Sequence, residues 1–519
     1  MIASQNAIDG KDYSKSVASF VAFRNLWIKP TAKLVSKPTK VLHISAECYP
    51  AAKTGGLADV VGALPKYQQN QAVVASVVIP KYDLPWINKQ QWSEVFSGGV
   101  WMGFYDQPFK VYSIDPAILG FPLFCIELLG KFDRPGIYSD PYGNYYGDEA
   151  ERFVSFQKSV LRWLQSDESI RPDIMHCHDH HTGLIPFMVK HSPEFQNLAQ
   201  VPTVFTIHNG RYHGSFGWHS RYLLPHFDDY LGGLLEWKGV INPLAAAIKC
   251  CWRLTTVSRA YLEELKTDSN GLEWLLQQES FKSNGILNGI DTVAWDPATD
   301  PSLKVNLKKS VPYFKRENKA SLVDTFHLEK KLPLIAFIGR FAIEKGADVL
   351  PDLVYRTFSQ NYQTNMLILG SGEPPIQHAL DNMARQFAGR FSLYLGYNED
   401  LAHQIYAGAD FLVMPSRVEP CGLNQMYALR YGTIPIVRRT GGLRDSVVDI
   451  GDPGGSGLMF NHVLTSDILH AFSRALELYE NKKKFNQVIQ KNMQLDFSWD
   501  KSAEEYQKIY DEIKIKQVI

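Results

Sequence analysis

Cysteine is scarce in this chain, with six residues scattered over 519. That is too few and too dispersed for a disulfide framework, so a reducing, cytosol-like compartment is expected. Neither sign of charge is in excess: 54 lysines plus arginines stand against 54 aspartates plus glutamates. A protein that neutralises the phosphates of a nucleic acid normally carries a basic surplus, so nucleic acid is not the expected partner. No uncharged apolar run approaches the ~18–20 residues of a spanning helix, so no membrane span is expected. Neither the Walker pattern nor the six-residue Rossmann glycine pattern is present. An Asp-x-Asp pair, the common means of holding a divalent metal on a nucleotide diphosphate, is absent too. A nucleotide diphosphate bound here would have to find its positive charge in side chains. Short-period repeats and low-complexity tracts are also lacking.

What is present is the composition of an ordinary folded protein, 45% hydrophobic and 21% charged, long enough to bury more than one core. The balanced charge conceals one asymmetry. Residues 1–40 carry Lys11, Lys15, Arg24, Lys29, Lys33, Lys37 and Lys40 against Asp9 and Asp12, so the head is +5 and the rest of the chain −5. Such a head reads either as a surface extension on a cytoplasmic protein or as a plastid-type transit peptide.

From residue 41 the chain alternates short apolar runs with helical segments, the rhythm of open parallel α/β sheets. Strands are expected at Val41–Ser45, Val73–Ile79, Ile174–His178, Val204–Ile207 and Leu254–Val257, the last feeding a helix over Arg259–Leu265. A second series is expected at Leu334–Ile338, Met366–Leu369, Ser392–Leu395, Phe411–Met414 and Ile434–Val437, with helices over Ala347–Phe358 and Pro375–Phe387. The fold class is therefore α/β, two doubly wound domains of similar size. The boundaries are a head 1–40, a first domain 41–295, a proline-bearing connection 296–333 with some local helix, a second domain 334–463, and C-terminal helices 464–519 that cross back to the first domain.

In such sheets ligands sit beyond the carboxyl ends of the strands, and chemistry-bearing residues cluster there. Lys53-Thr54-Gly55-Gly56-Leu57-Ala58-Asp59 follows the first strand; it reads equally as a tight turn or as a backbone cradle for an anion. His176-Cys177-His178-Asp179-His180-His181 ends another strand. A metal reading competes with a simpler one, in which the strand end delivers one or two histidines to a cleft; lacking standard ligand spacing, no metal site is expected. His208-Asn209 and Asn288-Gly289 are turn signals that also suit sugar hydroxyls. Arg340 and Lys345 flank a strand-to-helix loop as a plausible diphosphate clamp. Glu419, in Ser416-Arg417-Val418-Glu419-Pro420-Cys421-Gly422-Leu423-Asn424, precedes a helix whose first amides suit phosphate oxygens. Thr440-Gly441-Gly442 repeats the double-glycine arrangement.

These segments resemble bacterial glycogen synthases and plant starch synthases. The resemblance runs through Lys53–Asp59, His176–Gly183, Thr206–Asn209, Leu287–Asp291, Arg340–Gly346, Glu419–Leu423 and Thr440–Asp445, in the family's order, and covers residues 41 to about 515. It implies a retaining GT-B glycosyltransferase: two Rossmann-like domains facing each other across a deep cleft. Such an enzyme moves glucose from ADP-glucose, or alternatively UDP-glucose, to the non-reducing end of an α-1,4-glucan, without a cofactor. By resemblance Arg340 and Lys345 neutralise the diphosphate with help from Gly422, Leu423 and Asn424, and Glu419 holds the glucose and stabilises charge at its anomeric carbon. Lys53, with Gly55 and Gly56, reaches the phosphates; His181 and Asn288 contact the sugar; Asp148 is an acidic acceptor-side residue; Tyr397 stacks on the base. Three segments depart from the family pattern: His180 for tryptophan, Glu344 for glutamine, and Gly210-Arg211 for an apolar pair. Tyr427 stands where sucrose- and lipid-sugar-forming relatives of the fold carry a second glutamate.

Overall fold

A computed structural model describes residues 38–518, and those from Thr39 onward form one compact unit. The basic head therefore lies outside the described residues except for its last three positions.

Two sheets organise this unit. The first contains β1 (Thr39–Ile44), β2 (Val73–Pro80), β3 (Ser93–Trp101), β4 (Asp106–Ser113), β5 (Leu123–Glu127), β6 (Ile174–His178) and β7 (Thr203–Ile207). A two-stranded hairpin, β8 (Glu236–Trp237) and β9 (Val240–Ile241), stands apart before β10 (Arg253–Thr256) and β11 (Ser283–Gly285) complete it. The strand order is β11-β10-β7-β6-β1-β2-β5-β4-β3. From β11 to β5 all pairings are parallel, whereas β4 pairs antiparallel to β5 and β3 antiparallel to β4. The second sheet contains β12 (Leu334–Ile338), β13 (Asn365–Gly370), β14 (Phe391–Leu395), β15 (Phe411–Met414), β16 (Ile434–Arg438) and β17 (Leu458–Phe460), in the order β14-β13-β12-β15-β16-β17, wholly parallel.

The two α/β domains expected are both present, and the antiparallel strands β3 and β4 extend the first sheet to nine strands against six in the second. The sequence of β3, Ser-Glu-Val-Phe-Ser-Gly-Gly-Val-Trp, is mostly exposed or half-exposed, because an antiparallel edge is covered on one face only. The stretch 296–333, read from sequence as a connection, contains the helix Val311–Thr325, capped by Ser310, whose hydroxyl accepts from Tyr313 N. Phe314, Leu322 and Val323 on that helix are buried with Leu334, Ala336 and Leu412 of the second sheet. Each such burial contributes about 1.5–3 kcal/mol. Lys315 is buried there as well, donating to Ala409 O and Thr433 Oγ1 at 2.8 Å each.

Helices Thr465–Glu480 and Lys482–Asn492 pack on the second sheet through Ile468, Phe472, Phe485 and Ile489. The last helix, Trp499–Val518, instead buries Trp499, Tyr506, Ile509, Tyr510 and Ile513 against Val41, Leu64, Ile174 and Val204 of the first lobe.

Each sheet reverses its strand order beside a first strand: β1 lies between β6 and β2, and β12 between β13 and β15. Crevices open at the carboxyl ends of such switch points. The loops after β1, β6, β12 and β15 are those carrying Gly55–Gly56, His180–His181, Arg340–Lys345 and Glu419.

Candidate active site

The glycine loop after β1 is shaped by a carboxylate that sequence reading passed over. Glu47 is buried and accepts from Thr54 N at 2.6 Å, Gly55 N at 3.1 Å and Tyr138 Oη at 2.7 Å. Burial raises its carboxyl above the usual range, against the pull of those donors. A Cβ on Gly55 or Gly56 would meet nothing within 4 Å, so the backbone there faces open space. Lys53 turns aside: its Nζ is 2.7 Å from Asp59 and 5.0 Å above the Tyr49 ring.

The histidine-rich strand end divides into two functions. His176 and His178 do not reach the cleft; with His43 of β1 they form a buried hydrogen-bonded chain. Gln68 Nε2 donates to Tyr510 Oη at 3.0 Å, which leaves Gln68 Oε1 to accept from His43 Nε2 at 2.8 Å. His43 Nδ1 then accepts from His178 Nε2 at 3.0 Å, and His178 Nδ1 from His208 Nε2 at 3.0 Å. Tyr510 Oη in turn donates to His176 Nδ1 at 2.8 Å, so His176 Nε2 donates to Thr206 Oγ1 at 2.6 Å. One amide on the helix after β1 and one phenol on the C-terminal helix thus set four imidazole tautomers. Burial keeps these rings neutral, lowering His43 to about 4 and His208 to about 3, and His176 and His178 well below 6.5. Asp179, at a left-handed φ of 55°, accepts from His208 N at 2.7 Å and ties the ends of β6 and β7. Burial raises its carboxyl to about 6. His180 and His181 follow on a short 3₁₀ turn and do face the cleft. His181 stacks on Tyr138 with centroids 4.8 Å apart, and burial holds it well below its ordinary value.

In the second lobe Lys345 Nζ donates to both oxygens of Glu419, at 2.8 Å each, and Ser416 Oγ donates to Glu419 Oε2 at 2.9 Å. Glu419 is 6% exposed. Arg340 pairs with Glu344. The loop bearing Glu419 is held by glycines: Gly442 N donates to Glu419 O at 3.0 Å, and a Cβ on Gly441 or Gly442 would overlap the carbonyl oxygens of Glu419 or Cys421. Asn424 Nδ2 donates to Ile338 O at 2.9 Å, fixing the following helix to the end of β12. The lobes are stitched nearby: Glu264 accepts from Thr440 Oγ1 at 3.0 Å and Gly441 N at 2.7 Å, and Ser258 Oγ donates to Pro420 O at 2.6 Å.

These walls enclose a cleft of about 910 Å³, ample for a sugar nucleotide. Of the residues expected from sequence, Gly55, Gly56, His181, Asn288, Arg340, Lys345, Glu419, Gly422, Leu423 and Asn424 line it. Asn288 is buried, and its Oδ1 has no hydrogen-bond donor among the described residues. Lys53, Asp148 and Tyr397 stand outside the wall. Asp148 pairs with Arg134 at 2.5 Å, and Tyr397 is 82% exposed. Tyr427 stacks on Trp295 with centroids 3.8 Å apart, so it belongs to the core. Glu47, Glu149 and Tyr138 also line the cleft and were not legible as site residues. Chemically, the arrangement offers a buried carboxylate, Glu419, beside the cations Lys345 and Arg340, with further carboxylates at Glu47 and Asp179 and several polar groups suited to hydroxyls.

Residues 40–278 match the family model of the starch synthase catalytic domain, and residues 321–492 that of glycosyl transferases group 1. The chain is 47% identical over 474 residues to a glycogen synthase of Flavobacterium johnsoniae, covering 91% of this chain and 98% of that protein. It is 37% identical over 485 residues to a glycogen synthase of Rhodospirillum rubrum, with 91% and 98% covered. Among solved structures, the catalytic domain of starch synthase IV from Arabidopsis thaliana, bound to ADP and acarbose, superposes with a TM-score of 0.81 at 32% identity, covering 92% of this chain and 99% of that one. A sucrose-phosphate synthase from Thermosynechococcus elongatus shares the fold alone, with a TM-score of 0.56, 15% identity, and 92% and 100% of the two chains covered.

Proposed function

The chain belongs to the glycogen and starch synthase family of glycosyltransferases, and on that footing we propose that it transfers glucose from ADP-glucose to the non-reducing end of an α-1,4-glucan with retention of configuration. The observation that carries this reading is Glu419, buried at the cleft wall and held by Lys345, with Arg340 on the same strand-to-helix loop. Breaking the bond between the anomeric carbon and the diphosphate leaves positive charge on the sugar and negative charge on the leaving group. Glu419 faces the first charge; Arg340, Lys345 and the amides of Gly422, Leu423 and Asn424 face the second. The acceptor's 4-hydroxyl attacks from the side the diphosphate leaves, and its proton passes to the departing phosphate oxygen. That balances the step without a second carboxylate, and Tyr427 supplies none.

His181 and the Asn288 carbonyl oxygen serve sugar hydroxyls. Asp148 serves the acceptor side and Tyr397 the base. Lys53, 43% exposed on the first lobe, reaches the phosphates when the lobes close, and closure excludes the water that would hydrolyse the donor. The Arabidopsis relative solved with ADP supports the adenine donor. All six cysteines are buried and unpaired, which suits a reducing compartment such as the cytoplasm. No helix among the described residues is long and apolar enough to cross a membrane.

The test is nucleotide release in the presence of glycogen, measured side by side with ADP-glucose and UDP-glucose. Glycogen-dependent release favouring ADP-glucose is expected. Preference for UDP-glucose would overturn the donor assignment, and no release with either would overturn the activity.

A further inference from the structure

On the first-lobe wall of the cleft, three side chains converge. Glu149 is the first residue of the helix Glu149–Ser166, and His180 and His181 lie on the turn after β6. His180 Nε2 is 3.2 Å from Glu149 Oε1, and His181 Nε2 is 4.0 Å from the same oxygen. All three candidate ligand atoms lie within 4.8 Å of one another. Ligands bound at 2.0–2.2 Å around a tetrahedral zinc stand roughly 3.3 Å apart. One separation already matches, the other is 4.0 Å, and the Glu149 side chain is 44% exposed, so it has room to adjust.

The chemistry of the set is selective. Two imidazoles and one carboxylate suit zinc, cobalt, nickel or copper, whereas magnesium and calcium prefer oxygen alone. All three residues line the cleft, so an ion and a fourth ligand enter from solvent. A second trio, His43, His176 and His178, is equally close. Its nitrogens are committed to one another and to Gln68, His208, Tyr510 and Thr206, and its rings are fully enclosed. An ion there would have to break that chain.

We propose that Glu149, His180 and His181 form a binding site for a zinc-class divalent ion, with an open fourth position facing the cleft, and that its occupation inhibits sugar transfer. The inhibitory half rests on the function proposed above, since it engages His181 Nε2 where that function places sugar. Metal and substrate then compete for one imidazole.

The experiment titrates the full chain with zinc by calorimetry and with cobalt by the visible bands of a tetrahedral centre, alongside His180→Gln and Glu149→Gln. One equivalent is expected in the unaltered chain, with His180→Gln weakening it by more than about 100-fold, beyond the loss typical of an outer-shell change. Unfolding midpoints of the variants, compared without metal, establish that they remain folded. Zinc is expected to suppress glycogen-dependent nucleotide release, with reversal by chelator and far weaker suppression in His180→Gln. Absence of a specific equivalent, or equal binding by folded His180→Gln, means adventitious surface histidines and overturns the site. Site-specific binding without loss of transfer overturns the inhibition. A chain that binds zinc at this site but never transfers sugar contradicts the proposed function and leaves the metal result standing.

Discussion

Lys345 donates to both carboxylate oxygens of Glu419, 2.8 Å from each, across the 74 residues that separate the two positions. The pair makes the cation and the anion of the site depend on each other. Lys345→Ala removes the charge proposed to face the diphosphate and also leaves a buried carboxylate without its main partner. Its kcat/KM is expected to fall by about 10²–10³. The unfolding midpoint should fall with it, whereas Glu419→Gln, which keeps a polar group in the same place, should lose activity with little loss of stability. Melting curves beside the kinetics check this, and an unaltered midpoint in Lys345→Ala would show that the pair does not stabilise the loop.

Gly442 supports that loop from beneath. A methyl group there overlaps the Cys421 carbonyl, and Gly442 N donates to Glu419 O. Gly442→Ala is therefore expected to destabilise the chain by about 1–3 kcal/mol, as overpacking does, and to lower kcat although no substrate-facing group has changed. Denaturant unfolding and turnover measured on one preparation test this.

Glu344 holds the Arg340 guanidinium that a diphosphate would otherwise engage. Arg340 is 70% exposed, so breaking the pair alters stability by less than about 1 kcal/mol. Glu344→Gln should lower the KM for the donor several-fold at low ionic strength, with the difference shrinking as salt rises. A KM unchanged at every salt concentration would contradict the competition.

Five enclosed imidazoles, His43, His176, His178, His181 and His208, are held below their ordinary 6.5 by burial. The unfolded chain takes up protons from pH 6.5 downward while the folded chain resists, to about 4 at His43 and about 3 at His208. Stability is thus full above 6.5 and is lost as pH falls through that window. Asp179 works oppositely: raised from 3.8 to about 6, it stabilises at low pH and loses that contribution as pH rises through 6. The unfolding midpoint should drop between pH 7 and 5, and Asp179→Asn should steepen the drop by removing the opposing proton.

Ten of the parallel strands were legible because strands buried on both faces read as continuous apolar runs; Leu334–Ile338 and Phe411–Met414 match their observed bounds, whereas the short parallel strands β5, β11 and β17 were not read. The edge strand β3 was not, since Ser93, Glu94, Gly98 and Gly99 interrupt any run. Loops at the two switch points announced themselves through glycines and charges placed just after strands. Glu47 and Glu149 carried no such signal, because what makes them site residues is distance in space: Glu47 braces the glycine loop, and Glu149 meets histidines 31 and 32 positions later. The burial of His176 and His178 involves His43, His208 and, in the longest-range contact, Tyr510, 334 residues after His176. No local pattern encodes that contact.

Transfer of labelled glucose from ADP-glucose into glycogen, compared between the unaltered chain and Glu419→Ala, bears most directly on the central claim. The unaltered chain should extend glycogen, and the folded variant should fall to background. Near-normal extension by folded Glu419→Ala would contradict the assignment of this carboxylate and the reaction built around it.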